Sequence, residues 1–528
     1  MKGPGRAGHA PRGPAAAGPG RSGHAPPTPA APPADWPAGA PDPDPGHTAR
    51  GAGAGPRRWL AELAWLPGTG VRPGVLIEAA GDRFTAVTPG AARDDVPAGT
   101  PVLRGLTLPG LANAHSHAFH RALRGAVEAD EGTFWTWRTK MYQLAAALDP
   151  GSYYTLARAV YAEMALAGIT CVGEFHYLHH GPSGAPYADP NEMGRALLRA
   201  AADAGLRITL LDTCYLSAGL RPDGSPKPLR DVQLRFGDGD GARWAERVAG
   251  LGADSRGMLG PGARAGAAIH SVRAVPPAQM HYVMAWSHTY GAPVHAHLSE
   301  QPAENEDCLS AYGRTPAQVL NEAGVLGPRS TVVHATHLLR EDIDVLGATQ
   351  TSCCLCPTTE ADLADGIGPA RALAAAGCPI SLGTDSNAVI DLLAEARWLE
   401  LTQRLASRRR VHFTAEELAR AATVAGHACL GWPDAGEIMP GALADLVTVG
   451  LDSTRLAGTG LAGPGLAAAG PGAPGAVLDS VLFAATAADV RHVVTGGRDV
   501  VQDGRHLLVE DVPAALDAAV GAVLAVEE

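Results

Sequence analysis

Eight short runs of apolar or β-branched residues recur along the chain, and six of them stop at or next to a histidine or an aspartate. They cover residues 108–115, 169–176, 207–213, 267–270, 293–297, 331–334, 351–356 and 379–385. Stretches of helical character lie between them, among them 154–167, 192–204, 316–323 and 370–376. Strands that alternate with helices predict a parallel sheet. Eight such units predict an α/β fold closed into a (β/α)8 barrel of the TIM type, whose strands all end at one mouth, where chemistry is done. A polar side chain at the end of an apolar strand is costly to bury without a partner. His115, His176, His270, His297, His334 and Asp385 at six such ends therefore point to an active site.

The flanks read differently. Residues 57–108 hold strand-like runs at 74–78 and 83–87, and residues 436–510 hold others at 444–449, 490–495 and 500–503 among glycine turns. The two segments are expected to join as one small β-sandwich beside a barrel of residues 109–435. Residues 436–528 thus form its second part together with a C-terminal extension. Residues 1–56 are rich in Pro, Gly and Ala and carry an imperfect repeat, at 3–11 and again at 18–26. With few large apolar side chains to offset chain entropy, this segment reads as a disordered tail. It has no continuous apolar core of the kind a secretory signal needs. The loose stretch 457–476 reads as an insertion in the C-terminal part.

Composition narrows the function classes. No apolar run reaches the roughly 20 residues that a membrane helix needs. The formal charge of −12 comes without long basic blocks, which argues against nucleic acid or an anionic membrane as partner. Eight cysteines in 528 residues do not suggest a disulfide scaffold, and a reducing cytoplasm fits best. Cys353, Cys354 and Cys356 match no metal half-site and read as small buried residues on a strand.

The motifs converge on a metal. In His115-Ser-His117 the two imidazoles lie two residues apart on a strand, so both point the same way and can bind one ion. His297, in His295-Ala-His297-Leu-Ser-Glu300, can supply a third nitrogen, and Asp385, in Leu382-Gly-Thr-Asp385, a carboxylate. Three histidines and one carboxylate suit a divalent ion such as zinc, with one position left for water, although iron and manganese accept the same ligands. Glu300, three residues after His297, can turn back as general acid or base, and His334 stands at the next strand end. His295 and His337 read as packing or supporting residues, and His281 and His288 as structural or surface residues on a helix. His176, His179 and His180 lie close together, so a second metal site is conceivable there.

A histidine pair after strand one, single histidines after strands five and six and an aspartate after strand eight resemble the amidohydrolase superfamily signature over residues 57 to about 510. Members with two metals often use a lysine at the end of strand four. Here that region reads Ala268-Ile-His270, which implies one metal.

Further segments resemble the N-formimidoyl-L-glutamate deiminases of histidine degradation. These are His115-Ser-His-Ala-Phe119, Thr133-Phe-Trp-Thr-Trp-Arg138, Gly173-Glu-Phe-His-Tyr177, His270-Ser-Val-Arg273, His297-Leu-Ser-Glu-Gln-Pro302, Leu355-Cys-Pro-Thr-Thr-Glu360, Asp365-Gly-Ile367 and Asp385-Ser-Asn387. The resemblance implies a homodimer and a dicarboxylate substrate. A fork-shaped guanidinium is the natural receptor for each carboxylate. By resemblance these receptors are Arg138 and Arg273, with Tyr177 and His270 adding hydrogen bonds; the alternative is surface arginines and a core tyrosine. The family commonly has glutamine where this chain has His120, so substrate contact there differs in detail. The implied mechanism has Asp385, assisted by His334, take a proton from the attacking water, while Glu300 protonates the imine nitrogen. Two rivals stand beside it. One is another deaminase of the superfamily, acting on guanine, cytosine or an S-adenosyl compound. The other is a non-catalytic scaffold, which would have no need of the ligands.

Overall fold

A computed structural model of the protein describes residues 57–125, 134–254, 260–459 and 474–525. The tail 1–56 and most of the insertion at 457–476 lie outside the described residues, as does Thr133.

The chain begins with β1 (Arg57–Leu66), β2 (Gly70–Ala80), β3 (Arg83–Pro89) and β4 (Val102–Pro109). It then lays down β5 (Leu111–Ser116), β6 (Ile169–His176), β7 (Arg207–Cys214), β8 (Ala263–Ile269), β9 (Val294–Leu298), β10 (Ser330–His334), β11 (Ser352–Leu355) and β12 (Ile380–Leu382). These eight form one parallel sheet in sequence order. It closes where Ser116 bridges Asp385 and His115 O accepts the backbone N–H groups of Thr384 and Asp385. Nearly every residue of these strands is buried, as expected when helices cover the outer face of a parallel sheet. That double burial is why they read as near-continuous apolar runs.

The helices follow local signals. The helix Pro150–Leu166 starts at Asp149, whose carboxylate accepts the Ser152 N–H, with Pro150 in its first turn. The helix Glu192–Ala204 stops at Gly205 in the left-handed conformation.

The last strands, β13 (Leu446–Val449), β14 (Val490–Thr495), β15 (Arg498–Gln502) and β16 (Arg505–His506), return to the first four. All eight join as a single mixed sheet in the order β16-β15-β14-β13-β4-β1-β2-β3. Trp59, Ile77, Phe84, Leu446 and Val494, drawn from both ends of the chain, share one small core on it. The apolar run at 108–115 is divided between the two sheets: β4 ends at Pro109 and β5 starts at Leu111. Gly110 makes the joint, where a Cβ would meet Thr170 Oγ1 at 2.2 Å.

Gly105 on β4 has φ +116°, and a Cβ there would lie 2.1 Å from the Val449 carbonyl oxygen. That oxygen belongs to the paired strand β13 and cannot rotate away. Gly105→Ala is therefore expected to cost about 2 kcal/mol or more, read as a lower thermal midpoint; an unchanged midpoint would show that the two strands can part. Among the described residues no helix is long and apolar enough to cross a membrane.

Candidate metal and substrate site

The strand ends deliver their side chains to one point. His115 Nε2 lies 3.1 Å from Asp385 Oδ1 and 3.1 Å from His297 Nε2, and His117 Nε2 lies 3.4 Å from the same aspartate oxygen. Nδ1 of His117 donates to Phe175 O at 2.9 Å and Nδ1 of His297 to His270 O at 2.9 Å. Those bonds assign the ring proton to Nδ1 and leave each Nε2 lone pair aimed at the centre. Burial lowers the pKa of all three imidazoles. Burial alone would raise Asp385, but the His115 hydrogen bond and the neighbouring histidines hold it below the usual carboxylate range. Neutral nitrogens and a carboxylate crowding their lone pairs together in a buried pocket fit a bound divalent cation.

The approach is tight and strained. A Cβ at Gly383 would lie 2.8 Å from His115 Cβ and 2.9 Å from His115 O. Ser299, His334, Ala335, Asp385 and Asn387 all adopt positive φ, between 42° and 69°. Non-glycine residues rarely do so, and such strain concentrates where side chains must be aimed.

His334 joins His115, His297 and Asp385 in a group whose ligand atoms all lie within 4.8 Å of one another, and it stacks on His297 with ring centroids 5.5 Å apart. Its Nε2 faces Glu300 Oε1 at 3.9 Å and its Nδ1 faces Glu360 Oε1 at 3.5 Å. Burial raises the Glu300 pKa in spite of His334 and Arg273. Burial opposes charge on His334 too, but the carboxylates of Glu300, Asp385 and Glu360 prevail and raise it.

One cavity is lined by His117, His297, Glu300, His334 and Asp385 together with His120, Arg138, Tyr177, His270 and Arg273. Arg138 Nε donates to Tyr142 OH at 2.6 Å, and Gln233 Nε2 donates to the same hydroxyl at 3.1 Å. His120 Nε2 and Tyr177 OH are 3.0 Å apart, and burial pushes the His120 pKa down to about 3. Tyr177 is buried and also lines the cavity.

The amidohydrolase family model matches residues 106–500. The chain belongs to the amidohydrolase family. The formimidoylglutamate deiminase of Pseudomonas aeruginosa is 37% identical over 458 residues, 85% of this chain and 95% of that protein. The 8-oxoguanine deaminase of the same organism is 31% identical over 365 residues, 67% of this chain and 76% of that one. Among solved structures, an amidohydrolase from Brucella melitensis superposes with a TM-score of 0.78 at 33% identity, covering 89% of this chain and all of that one. An adenosine deaminase from Xanthomonas campestris, solved with bound zinc, superposes at 0.73 and 23% identity over 89% and 98% of the two chains. That last likeness shows the fold alone.

The other histidines of this amidohydrolase separate clearly. His295 is buried and bonds Cys429 O at 3.0 Å, and His337 bonds Asp365 O at 2.8 Å. His281 and His288 are exposed on the helix Pro277–Tyr290. His176, His179 and Asp212 do come together. Arg247, however, grips Asp212 with both ends of its fork at 2.9 and 2.8 Å and also reaches Asp238. A guanidinium already supplies the positive charge there, so the cluster reads as a buried ion-pair network. Cys353 and Cys354 are buried on β11 and Cys356 just beyond it, and all eight cysteines are free thiols.

Three groups around the site escaped the sequence reading. Glu360 sits inside a matched motif and faces His334. Glu174, which burial raises to about 8, accepts the Ala118 N–H at 2.7 Å and so fixes the turn after His117. Glu304 faces Arg273.

Proposed function

We propose that this amidohydrolase converts N-formimidoyl-L-glutamate and water into N-formyl-L-glutamate and ammonia, a step of histidine degradation, with a zinc ion held by His115, His117, His297 and Asp385. Iron or manganese would suit the same ligands. The observation that carries the reading is the pairing, in one cavity, of His117, His297, Asp385 and Glu300 with two guanidiniums, Arg138 and Arg273. A dicarboxylate uses both, whereas a nucleobase has no carboxylate for either. The identity to the Pseudomonas deiminase supports the same substrate. The free thiols fit the cytoplasm.

A bound divalent ion supplies a Lewis acid that brings the pKa of water down to near 7. The chain does the rest. Asp385 accepts the proton of the attacking water, and His334 orients that water and balances developing negative charge. Glu300 carries a proton to the imine nitrogen as the water oxygen adds to the carbon, giving an amino group. The proton held by Asp385 then passes to that amino group and the hydroxyl proton of the adduct returns to Glu300, so the C–N bond breaks with ammonia leaving as the carbonyl forms. Arg138 and Arg273 hold the two carboxylates, and Tyr177, His270 and His120 complete the hydrogen bonding. Because the imidazoles and the carboxylate depend on the ion to separate their lone pairs, chelation is expected to abolish ammonia release and to lower the thermal midpoint, both restored by zinc. Activity that survives complete chelation would refute the metal. Substrate choice is tested by comparing N-formimidoyl-L-glutamate with 8-oxoguanine and S-adenosylhomocysteine; preference for either of the last two would refute the dicarboxylate.

A further inference from the structure

Glu304 lies in the first turn of the helix Pro302–Tyr312, four residues after Glu300, and is 1% exposed. Its two carboxylate oxygens are buried without a side-chain hydrogen-bond partner, with only the Ser299 backbone beside them. Leaving a carboxylate buried in that condition is expensive unless a charge nearby compensates it. The compensating charge is Arg273, whose Nε lies 3.6 Å from Glu304 Oε2, with NH2 4.0 Å from Glu300 Oε2. Arg273 stands in the turn after β8, a mobile type of side chain on an irregular segment, and its head reaches the cavity.

A guanidinium has two edges that can grip a carboxylate in parallel, one through Nε and one NH2, the other through its two terminal nitrogens. Glu304 and Glu300 sit on the Nε edge. The terminal edge is the one left for a ligand in the cavity. We propose that Glu304 is a positioning residue that holds Arg273 by its Nε edge, so that the terminal edge is aimed at a substrate carboxylate. Glu304 itself is not among the residues that line the cavity. Fixing the fork before binding removes rotamer freedom that the substrate would otherwise have to freeze out. The inference rests on the reading of Arg273 as a carboxylate receptor.

The test is a double-mutant cycle on the metal-loaded full chain, with Glu304→Met, Arg273→Met and the pair. Glu304→Met is expected to raise KM for N-formimidoyl-L-glutamate about tenfold while kcat moves less than about threefold. Glu304→Gln, which still offers Nε an acceptor, restores KM to within about threefold of the parent. In the Arg273→Met background, Glu304→Met adds less than about twofold, because the residue acts only through Arg273. Thermal midpoint and metal content identify any variant that fails to fold, and in that case Glu304→Leu and Arg273→Lys take the places of the methionine variants in the cycle. The same cycle is read in parallel on calorimetric binding of glutarate, a dicarboxylate with no reacting group. Equal losses from Glu304→Met with and without Arg273 overturn the proposal, as does a fall in kcat at constant KM. A parent silent on N-formimidoyl-L-glutamate, or an Arg273→Met variant with unchanged KM, overturns the functional reading instead, and glutarate binding then still decides the role of Glu304.

Discussion

Glu300→Gln is expected to lower kcat for ammonia release by about 10²–10⁴-fold, the range found when a positioned general acid is removed, while metal content stays at the parent level. Glu300 is 8% exposed and faces the cavity from the turn after β9. Burial raises its pKa, so it keeps a proton closer to neutral pH than an exposed glutamate does. That is what a donor to an imine nitrogen needs. Glutamine preserves the shape and the hydrogen-bonding reach but has no proton of comparable acidity to give. None of the four proposed ligands depends on Glu300 for a hydrogen bond, so the ion should stay. Steady-state kinetics with metal analysis separates the cases. A loss of less than about tenfold would remove Glu300 from the proton path, and a loss that tracks metal content would make it a structural residue.

The second large effect is on stability. Arg207, at the start of β7, grips Asp445 with Nε to Oδ2 at 2.7 Å and NH2 to Oδ1 at 3.2 Å. Asp445 Oδ1 also accepts the Gly496 N–H at 2.6 Å, from the turn between β14 and β15. The two side chains are 3% and 0% exposed. This clamp ties the barrel to the sheet formed by the chain ends. Removing the carboxylate leaves a guanidinium buried and uncompensated, along with an orphaned backbone donor. Breaking such a pair costs about 3–5 kcal/mol, and Asp445→Ala is expected to fall in that range in chemical denaturation. Replacing Arg207 and Asp445 together by apolar residues should recover part of the loss, because no unpaired charge then remains. A cost below about 1 kcal/mol would put the pair in the class of solvent-screened surface bridges, in conflict with its burial.

The barrel was legible because burial on both faces writes an unbroken apolar run for each strand, and because six of those runs end in a polar residue. The helices Glu192–Ala204 and Ala370–Ala376 lie where their sequence places them, since each is bounded by a left-handed glycine, Gly205 and Gly377. The division at Gly110 was not legible. Residues on both sides of it are equally apolar, and only the close approach of Thr170 reveals the joint. His120, Arg138, Tyr177, His270 and Arg273 rested on the resemblance to the deiminases, whereas the histidines and the aspartate of the candidate metal site could be picked out because metal binding demands particular side chains at particular spacings. Glu174, Glu304 and Glu360 could not. Each acts on a neighbour brought in by another element, and a buried glutamate far from its partner in sequence reads like any surface charge. The Arg207–Asp445 clamp was hidden for the same reason, its members standing 238 positions apart.

The most direct test of the central claim is to supply the zinc-loaded protein with N-formimidoyl-L-glutamate and follow ammonia and N-formyl-L-glutamate together, with Arg273→Ala alongside. Stoichiometric release of both products by the parent, and a loss of most of kcat/KM in the variant, is the expected result. No release from this substrate together with turnover of a nucleobase, or a variant indistinguishable from the parent, would contradict it.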